Sequence, residues 1–376
     1  MTEHSFRVTR TTLSDGRELL YFDDSPEYVS GERTRELHDS RDLPQSRTNS
    51  EVRIDPLTGE PVVFAAHRMD RTFLPPAHEN PLAPTRSEDN PTEIPADDYD
   101  VVVFENRFPS FSLTSDHGPD FDHHVDGEEL FERSPAVARC EVVCFTSDPD
   151  SSFSALSPQR ARTVIEAWAH RTAELSQLKD IRLVYPFENR GEEIGVTLGH
   201  PHGQIYSYPY LPTRARAIVN RAKAHKEATG RDLFDDVLAA ERRSGNRIVY
   251  EGKFFTAFVP AAAKWPVEIM IMPHRAVRDF TELTDAEKDE LAVMYLDVLQ
   301  RMDRFFDGVD KTPYLASWNQ APVGEDRDYG RLHLQLFSTM RSPHRMKFLA
   351  SSESGAGAWI SDTTPERIAQ RFREIA

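Results

Sequence analysis

Two histidines and a glutamine that alternate over five positions are the residues best suited to chemistry. His200, His202 and Gln204 are separated by Pro201 and Gly203. Residues two apart in a β-strand point to one face, so we expect these three side chains to lie side by side. Because proline cannot donate a ladder hydrogen bond, the strand is expected at a sheet edge or interrupted at Pro201.

This arrangement favours a nucleophilic imidazole over a metal site. An imidazole flanked by a second imidazole and a neutral amide is a poor metal triad. It suits a nucleophilic nitrogen whose tautomer is fixed by a neighbour. The spacing alone fits a strand end with two structurally hydrogen-bonded histidines equally well.

The elements that must position these residues occur twice in the chain. Four residues recur 127 positions later: Glu141, Phe153, Leu156 and Ser157 match Glu268, Phe280, Leu283 and Thr284. In both places a strand and a loop precede a capped helix, with Pro158 at the first helical position of one copy. The segment that begins at His202 resembles the one that begins at His333, 131 positions later. The pattern predicts a duplicated α+β unit.

The composition describes an ordinary soluble globular protein and excludes several classes. The chain has 376 residues, a net charge of −17 and 28% charged residues. The acidity argues against a nucleic-acid-binding protein. No apolar run approaches the roughly 20 residues of a membrane span, and the polar N-terminus predicts no secretory signal. Cys140 and Cys144 would lie about 13 Å apart in a strand, too far for a disulfide, so a cytoplasmic location is expected.

The chain is expected to divide into three segments. Residues 1–50 are polar and charge-rich, which predicts an N-terminal arm or irregular cap outside the core. Residues 51–225 would form an N-terminal half that carries the catalytic motif. Residues 226–376 would form a C-terminal half.

Six motifs in the expected order resemble those of galactose-1-phosphate uridylyltransferases, a branch of the histidine-triad superfamily. They are Asp55-Pro-Leu-Thr-Gly59, Ala66-His-Arg-Met-Asp-Arg71, Phe104-Glu-Asn-Arg-Phe-Pro109, Phe187-Glu-Asn189, His200-Pro-His-Gly-Gln204 and Lys347-Phe-Leu-Ala-Ser-Ser-Glu353. The resemblance covers residues 51–375. It implies a duplicated histidine-triad (HIT-like) fold of class α+β, with an antiparallel sheet and packed helices in each half.

The resemblance also implies a ping-pong reaction of galactose metabolism, in the Leloir pathway. UDP-glucose would donate UMP to His202, and galactose 1-phosphate would then accept it to give UDP-galactose. Gln204 stands where hydrolytic relatives have a third histidine. An amide binds a phosphoryl oxygen but cannot pass a proton to water, so this residue favours transfer over hydrolysis. No cofactor is expected, and a homodimer that completes the active site is implied.

The resemblance assigns substrate-binding roles to eight residues besides these two. The assigned residues are Arg68, Arg71, Asn106, Asn189, Gly195, Thr197, Lys347 and Glu353. The three cations would face phosphate groups, with bidentate geometry available to the arginines. Asn189, Gly195 and Thr197 would donate hydrogen bonds to phosphate oxygens. Glu353 would bind sugar hydroxyls.

The chain departs from the family at both of its metal sites. Relatives with a structural zinc have a Cys-x-x-Cys and a further histidine where this chain has Asn80-Pro-Leu-Ala83 and Pro149. Only His200 remains, and one imidazole cannot hold zinc structurally. The second family site corresponds to Ile218, Asn319, His333 and Gln335, of which only His333 is a family ligand. We therefore predict a metal-free enzyme in which His200 orients the strand or His202.

Other departures leave the specificity and two alternatives open. Ser352 and Trp359 replace family sugar-pocket residues, and Arg107 replaces an aspartate near the nucleoside. A nucleoside-diphosphate-sugar phosphorylase of the same fold would use phosphate as acceptor. A non-catalytic nucleotide-sugar sensor is a further alternative, although it would have no need of His202 beside Gln204.

Overall fold

The computed structural model describes residues 4–35, 37–45, 48–66, 80–87 and 89–376. The described strands are β1 (Arg7–Thr12), β2 (Glu18–Asp23), β3 (Glu51–Ile54), β4 (Pro61–Phe64), β5 (Val101–Glu105), β6 (Arg133–Pro135), β7 (Cys140–Cys144), β8 (Leu183–Arg190), β9 (His202–Tyr208), β10 (Ile248–Glu251), β11 (Phe255–Phe258), β12 (Val267–Pro273), β13 (Tyr314–Asn319), β14 (His333–Ser338), β15 (Met340–Ser342) and β16 (Arg345–Met346). The helices are α1 (Pro26–Ser30), α2 (Pro158–Leu175), α3 (Thr213–Thr229), α4 (Leu233–Ser244), α5 (Asp285–Asp303), α6 (Ser351–Ser354) and α7 (Pro365–Glu374).

One antiparallel sheet of eleven strands runs through both halves of the chain. Its order is β1-β2-β5-β7-β9-β8-β13-β14-β12-β11-β10. The order is symmetric about the β8–β13 pair, because β7-β9-β8 on one side mirrors β12-β14-β13 on the other. This topology confirms the duplicated α+β unit. The strands of the two halves join edge to edge, with Leu315 paired to Asn189.

The repeated helices α2 and α5 pack against each other and carry the core. Both begin where the capping residues predict. Ser157 accepts a hydrogen bond from the backbone of Arg160, and Thr284 forms a reciprocal capping box with Glu287. An aromatic cluster fills the space between the helices and the central strands: Phe153, Trp168, Phe280, Tyr295 and Trp318.

The expectation of an irregular arm over residues 1–50 is wrong for residues 7–23. Strands β1 and β2 form a hairpin that pairs with β5, and Leu19–Phe22 are fully buried. The sequence signal was present, because Asp15-Gly16 is a typical hairpin turn ahead of the apolar run. The charged residues around that run obscured it.

Three further expectations concern the cysteines, the division into segments and membrane-spanning helices. Cys140 and Cys144 are both free and buried, as expected. The boundary expected between residues 225 and 226 lies inside α3, and the division into segments stays a prediction. Among the helices of the described ranges, none has the length and apolar character needed to cross a membrane.

Candidate active site

His202 is the first residue of β9, which lies inside the sheet between β7 and β8. The strand is therefore interrupted at Pro201, and the alternative of a sheet edge is wrong. Gly203 follows because no side chain fits there. A Cβ at this position would lie 2.7 Å from the carbonyl oxygen of Phe187 and 2.8 Å from the ring of Phe145. This close approach brings β8 and β9 together beside His202.

One main-chain hydrogen bond sets the tautomer of His202. Its Nδ1 lies 2.7 Å from the carbonyl oxygen of His200. A carbonyl only accepts, so Nδ1 carries the proton and the lone pair of the neutral ring is at Nε2. The expected link between the two histidines therefore exists, but it uses the backbone of His200 and not its ring.

A polar cleft of about 930 Å³, including its open mouth, adjoins His202. It brings together five of the residues assigned from sequence: Asn189, Gly195, Thr197, His202 and Gln204. The side-chain amides of Asn189 and Gln204 have no hydrogen-bond partner among the described residues, so they are available to a ligand. Gly195 adopts φ +86°, a left-handed conformation that favours glycine and turns residues 196–198 along the cleft.

A second, more apolar cleft extends from His202 and Gln204 to Asn106. Its walls include Phe104, Val142 and Leu198, which offer apolar surface. Arg107 lies at this end with its Nη1 3.5 Å from Oε1 of Glu93. The same carboxylate is 2.9 Å from Arg41 and 2.6 Å from Arg17. This end of the site thus combines apolar walls with a cluster of charged groups.

His200 does not stand beside His202 on the strand face, contrary to expectation. It precedes β9 and is buried, with a 2.9 Å hydrogen bond from Nδ2 of Asn80 to its Nδ1. Its Nε2 lies 2.8 Å from the carbonyl of Thr146 and 2.7 Å from the hydroxyl of Tyr99, which itself donates to the carbonyl of Leu82. Burial lowers the pKa of His200 to about 4. The ring is therefore neutral and hydrogen-bonded on both nitrogens.

The resemblance implies a structural zinc at this position in relatives, and the residues of this network do not fit zinc. An amide, a phenol and one imidazole offer a single typical zinc ligand. Within the described parts of the chain, no three His, Cys, Asp or Glu side chains form a group that could bind a metal.

The remaining assigned residues lie elsewhere. Arg68 and Arg71 fall outside the described residues. Lys347 and Glu353 are buried and form an ion pair at 2.8 Å, and the Lys347 ammonium holds the pKa of Glu353 below its usual range. Neither lines the clefts described at His202.

The structure adds four residues that the sequence did not single out. Asn80 and Tyr99 hold His200, Glu93 lines the apolar cleft, and Lys311 lines a further cleft that contains His202. In the sequence, Asn80 belongs to the segment that differs from the family by its missing cysteines, which gives no sign of a contact with His200. No local sequence pattern indicates a role for the other three residues.

Comparisons with known proteins agree along most of the chain. The family model described as "Galactose-1-phosphate uridyl transferase, N-terminal domain" matches residues 41–212. The model for the C-terminal domain of the same family matches residues 218–376. Together they cover nearly all of the sequence, including every cleft-lining residue named above.

Individual relatives give the same result. A galactose-1-phosphate uridylyltransferase of Streptomyces lividans is 43% identical over 98% of both chains. One of Thermotoga maritima is 34% identical over 86% of this chain and 98% of its own. A solved structure described as a uridylyltransferase is 30% identical, with a TM-score of 0.75 over 86% of this chain and 98% of that one. The chain is an enzyme of the galactose-1-phosphate uridylyltransferase family, with its duplicated HIT-like fold.

Proposed function

We propose that the protein moves UMP from UDP-glucose to galactose 1-phosphate through a covalent uridylyl-histidine at His202, as a step of galactose metabolism in the Leloir pathway. The observation that carries the proposal is the Nδ1 hydrogen bond to the carbonyl of His200. It leaves the nucleophilic lone pair at Nε2, beside a polar cleft. Family membership supports the choice of substrates.

The first step forms a bond from Nε2 of His202 to the α-phosphorus of UDP-glucose. The bond from that phosphorus to the bridging oxygen breaks, and glucose 1-phosphate leaves. In the second step a phosphate oxygen of galactose 1-phosphate attacks the same phosphorus and releases Nε2. The phosphoramidate keeps the UMP group activated between the steps.

The surrounding residues would stabilise the charge on the transferred phosphoryl group. Gln204 and Asn189 have side-chain amides without partners among the described residues, and both line the cleft. Amide donors directed at developing negative charge stabilise a transition state. The amide of Gln204 cannot take up a proton from an attacking water, so the intermediate persists until a sugar phosphate arrives.

The nucleoside would occupy the apolar cleft at Asn106. The walls at Phe104 and Leu198 suit a pyrimidine ring, and the amide of Asn106 suits a polar contact. Arg68 and Arg71 remain proposed phosphate ligands. Lys347 and Glu353 would serve the sugar end of the site of a partner chain in a homodimer, because neither lines the clefts at His202 of its own chain. A protein that is monomeric in analytical ultracentrifugation and fully active at the same concentration would contradict this assignment to a partner chain.

Exchange of label tests the covalent mechanism and separates it from the alternatives. Wild-type protein should exchange labelled glucose 1-phosphate into UDP-glucose without galactose 1-phosphate, and His202→Asn should not. Retained exchange in His202→Asn would contradict the mechanism. Preloaded enzyme offered phosphate and galactose 1-phosphate should transfer to the sugar phosphate. Preference for phosphate would indicate a phosphorylase, and no exchange in the wild type would indicate a sensor.

A further inference from the structure

Another cleft, lined by residues of both halves, surrounds His333, which the duplication relates to His202 of the active site. It has a volume of about 730 Å³, including its open mouth, and is lined by strands β8, β9, β13 and β14 and the starts of α3 and α4. His333 begins β14 as His202 begins β9. Its Nδ1 also donates to the carbonyl two residues earlier, at 2.8 Å from Arg331.

The cleft contains polar groups with no partner among the described residues. His333 is only 6% exposed, and its proton at Nδ1 leaves an acceptor at Nε2 that receives no hydrogen bond from the described residues. The amide of Asn319, which corresponds to Asn189, is unpartnered in the same way. Both residues line the cleft. An acceptor and an amide without partners in a buried wall indicate a site for a polar ligand.

The N-terminus of α3 adds positive potential at the mouth. Its seventeen residues begin at Thr213 with no side-chain cap and no acidic residue in the first turn. Arg214 stands there instead, without a described carboxylate partner, and lines the cleft with Ala215. A helix N-terminus attracts anions, so a basic first turn is unfavourable unless an anion binds.

The walls are aromatic. Tyr185 and Tyr208 lie with ring centroids 6.3 Å apart, and Phe234 lies 5.8 Å from the ring of His333. All of them line the cleft. Arg331 is already neutralised by Asp235 at 2.6 Å, so the uncompensated charge belongs to Arg214. The cleft therefore offers flat apolar surface inside and a cationic mouth.

We propose that this cleft is a second binding site for a nucleoside monophosphate. The phosphate would bind Arg214 and the backbone N–H groups at the start of α3. The base would lie against the tyrosines, with its polar edge at His333 and Asn319. The site is separate from the His202 clefts, so the proposal does not depend on the proposed transfer reaction.

Equilibrium dialysis with labelled UMP, combined with hydrogen exchange, tests the site. Arg214→Ala should bind one UMP fewer per chain than the wild type and lose the UMP-dependent protection of residues 213–219. Ala215→Glu should also lose the binding and the protection. Because an acid in the first turn stabilises a helix, this loss would not result from unfolding of α3. His202→Asn should keep both the binding and the protection.

Arg216→Ala is the matched control. Arg216 lies in the same helical turn, but its guanidinium is committed to the carbonyl of Gly59 at 3.0 Å. This variant should bind UMP as the wild type does. Absence of UMP-dependent protection over residues 213–219 in the wild type would overturn the proposal. So would unchanged binding in both Arg214→Ala and Ala215→Glu.

Discussion

The imidazole of His202 depends on its neighbours in two ways. The carbonyl of His200 fixes the proton at Nδ1, and Gly203 lets β8 approach closely. The position of Gln204, two residues along the same strand, follows from the alternation of side chains. Nucleophile and amide are thus held by backbone geometry.

Replacement of Gln204 tests its part in transfer. Gln204→Ala removes an amide that we place on the phosphoryl group. Loss of one such donor lowers the rate by about 10²–10³-fold, so we expect kcat to fall by about that factor. The uridylyl adduct should still form, because His202 is intact. Pre-steady-state release of glucose 1-phosphate measures this, and a wild-type kcat would contradict the role.

His200 makes the stability of the fold depend on pH. Burial lowers its pKa to about 4, against about 6.5 in an unfolded chain. Below pH 6.5 the unfolded state takes up a proton that the folded state refuses, so stability falls as the pH falls. The contribution of His200 between pH 7 and pH 5 is about 2 kcal/mol.

Urea unfolding at the two pH values measures this contribution. The free energy of unfolding of the wild type should fall by about 2 kcal/mol more than that of His200→Asn. An equal fall in both proteins would contradict the assignment. The variant is compared with itself at each pH, so its own loss of hydrogen bonds does not affect the result.

At the residue scale, local rules predicted some contacts and missed others. The shared face of His202 and Gln204 follows from strand periodicity. The partners of His200 do not, because Asn80 and Tyr99 are 120 and 101 residues away in the sequence. Contacts of that range depend on which strands pair, and that is decided by the whole sheet.

The repeated unit of strand and capped helix is the element that positions the site. Its capping residues were readable from sequence because a cap depends on four adjacent residues. The hairpin β1–β2 was missed because charged residues surround its apolar run. The joining of β8 to β13 was not predictable, since nothing local specifies pairing between two copies of a unit.

The two caps should contribute similarly to stability. Ser157→Ala and Thr284→Ala should each lower the free energy of unfolding by about 1 kcal/mol, because each leaves a helix-terminal N–H without its side-chain partner. Ser157→Gly is the matched control and should cost only a few tenths of a kcal/mol. Chemical denaturation measures all three. Alanine variants as stable as the wild type would contradict the capping assignment.

At the scale of the whole molecule, we propose that hydrogen bonds replace a structural metal. Asn80, Tyr99 and Thr146 satisfy both ring nitrogens of His200. Activity and melting temperature should therefore not change after prolonged dialysis against a chelator. Metal analysis of the purified protein checks the same point. One stoichiometric zinc per chain would contradict it.

The acidity of the chain gives the substrate-binding cations a specific task. A net charge of −17 repels nucleotide sugars at long range. The site must therefore attract them locally, and Lys311 lies at a cleft beside His202. The sequence indicated this need for local cations, but not Lys311.

Mass spectrometry of the intact protein after mixing with UDP-glucose tests the central claim most directly. The wild type should gain the mass of one uridylyl group per chain, stable in alkali and lost in acid, as a phosphoramidate requires. Addition of galactose 1-phosphate should remove it, and His202→Asn should never acquire it. A wild type that forms no adduct while it turns over substrate would contradict covalent transfer through His202.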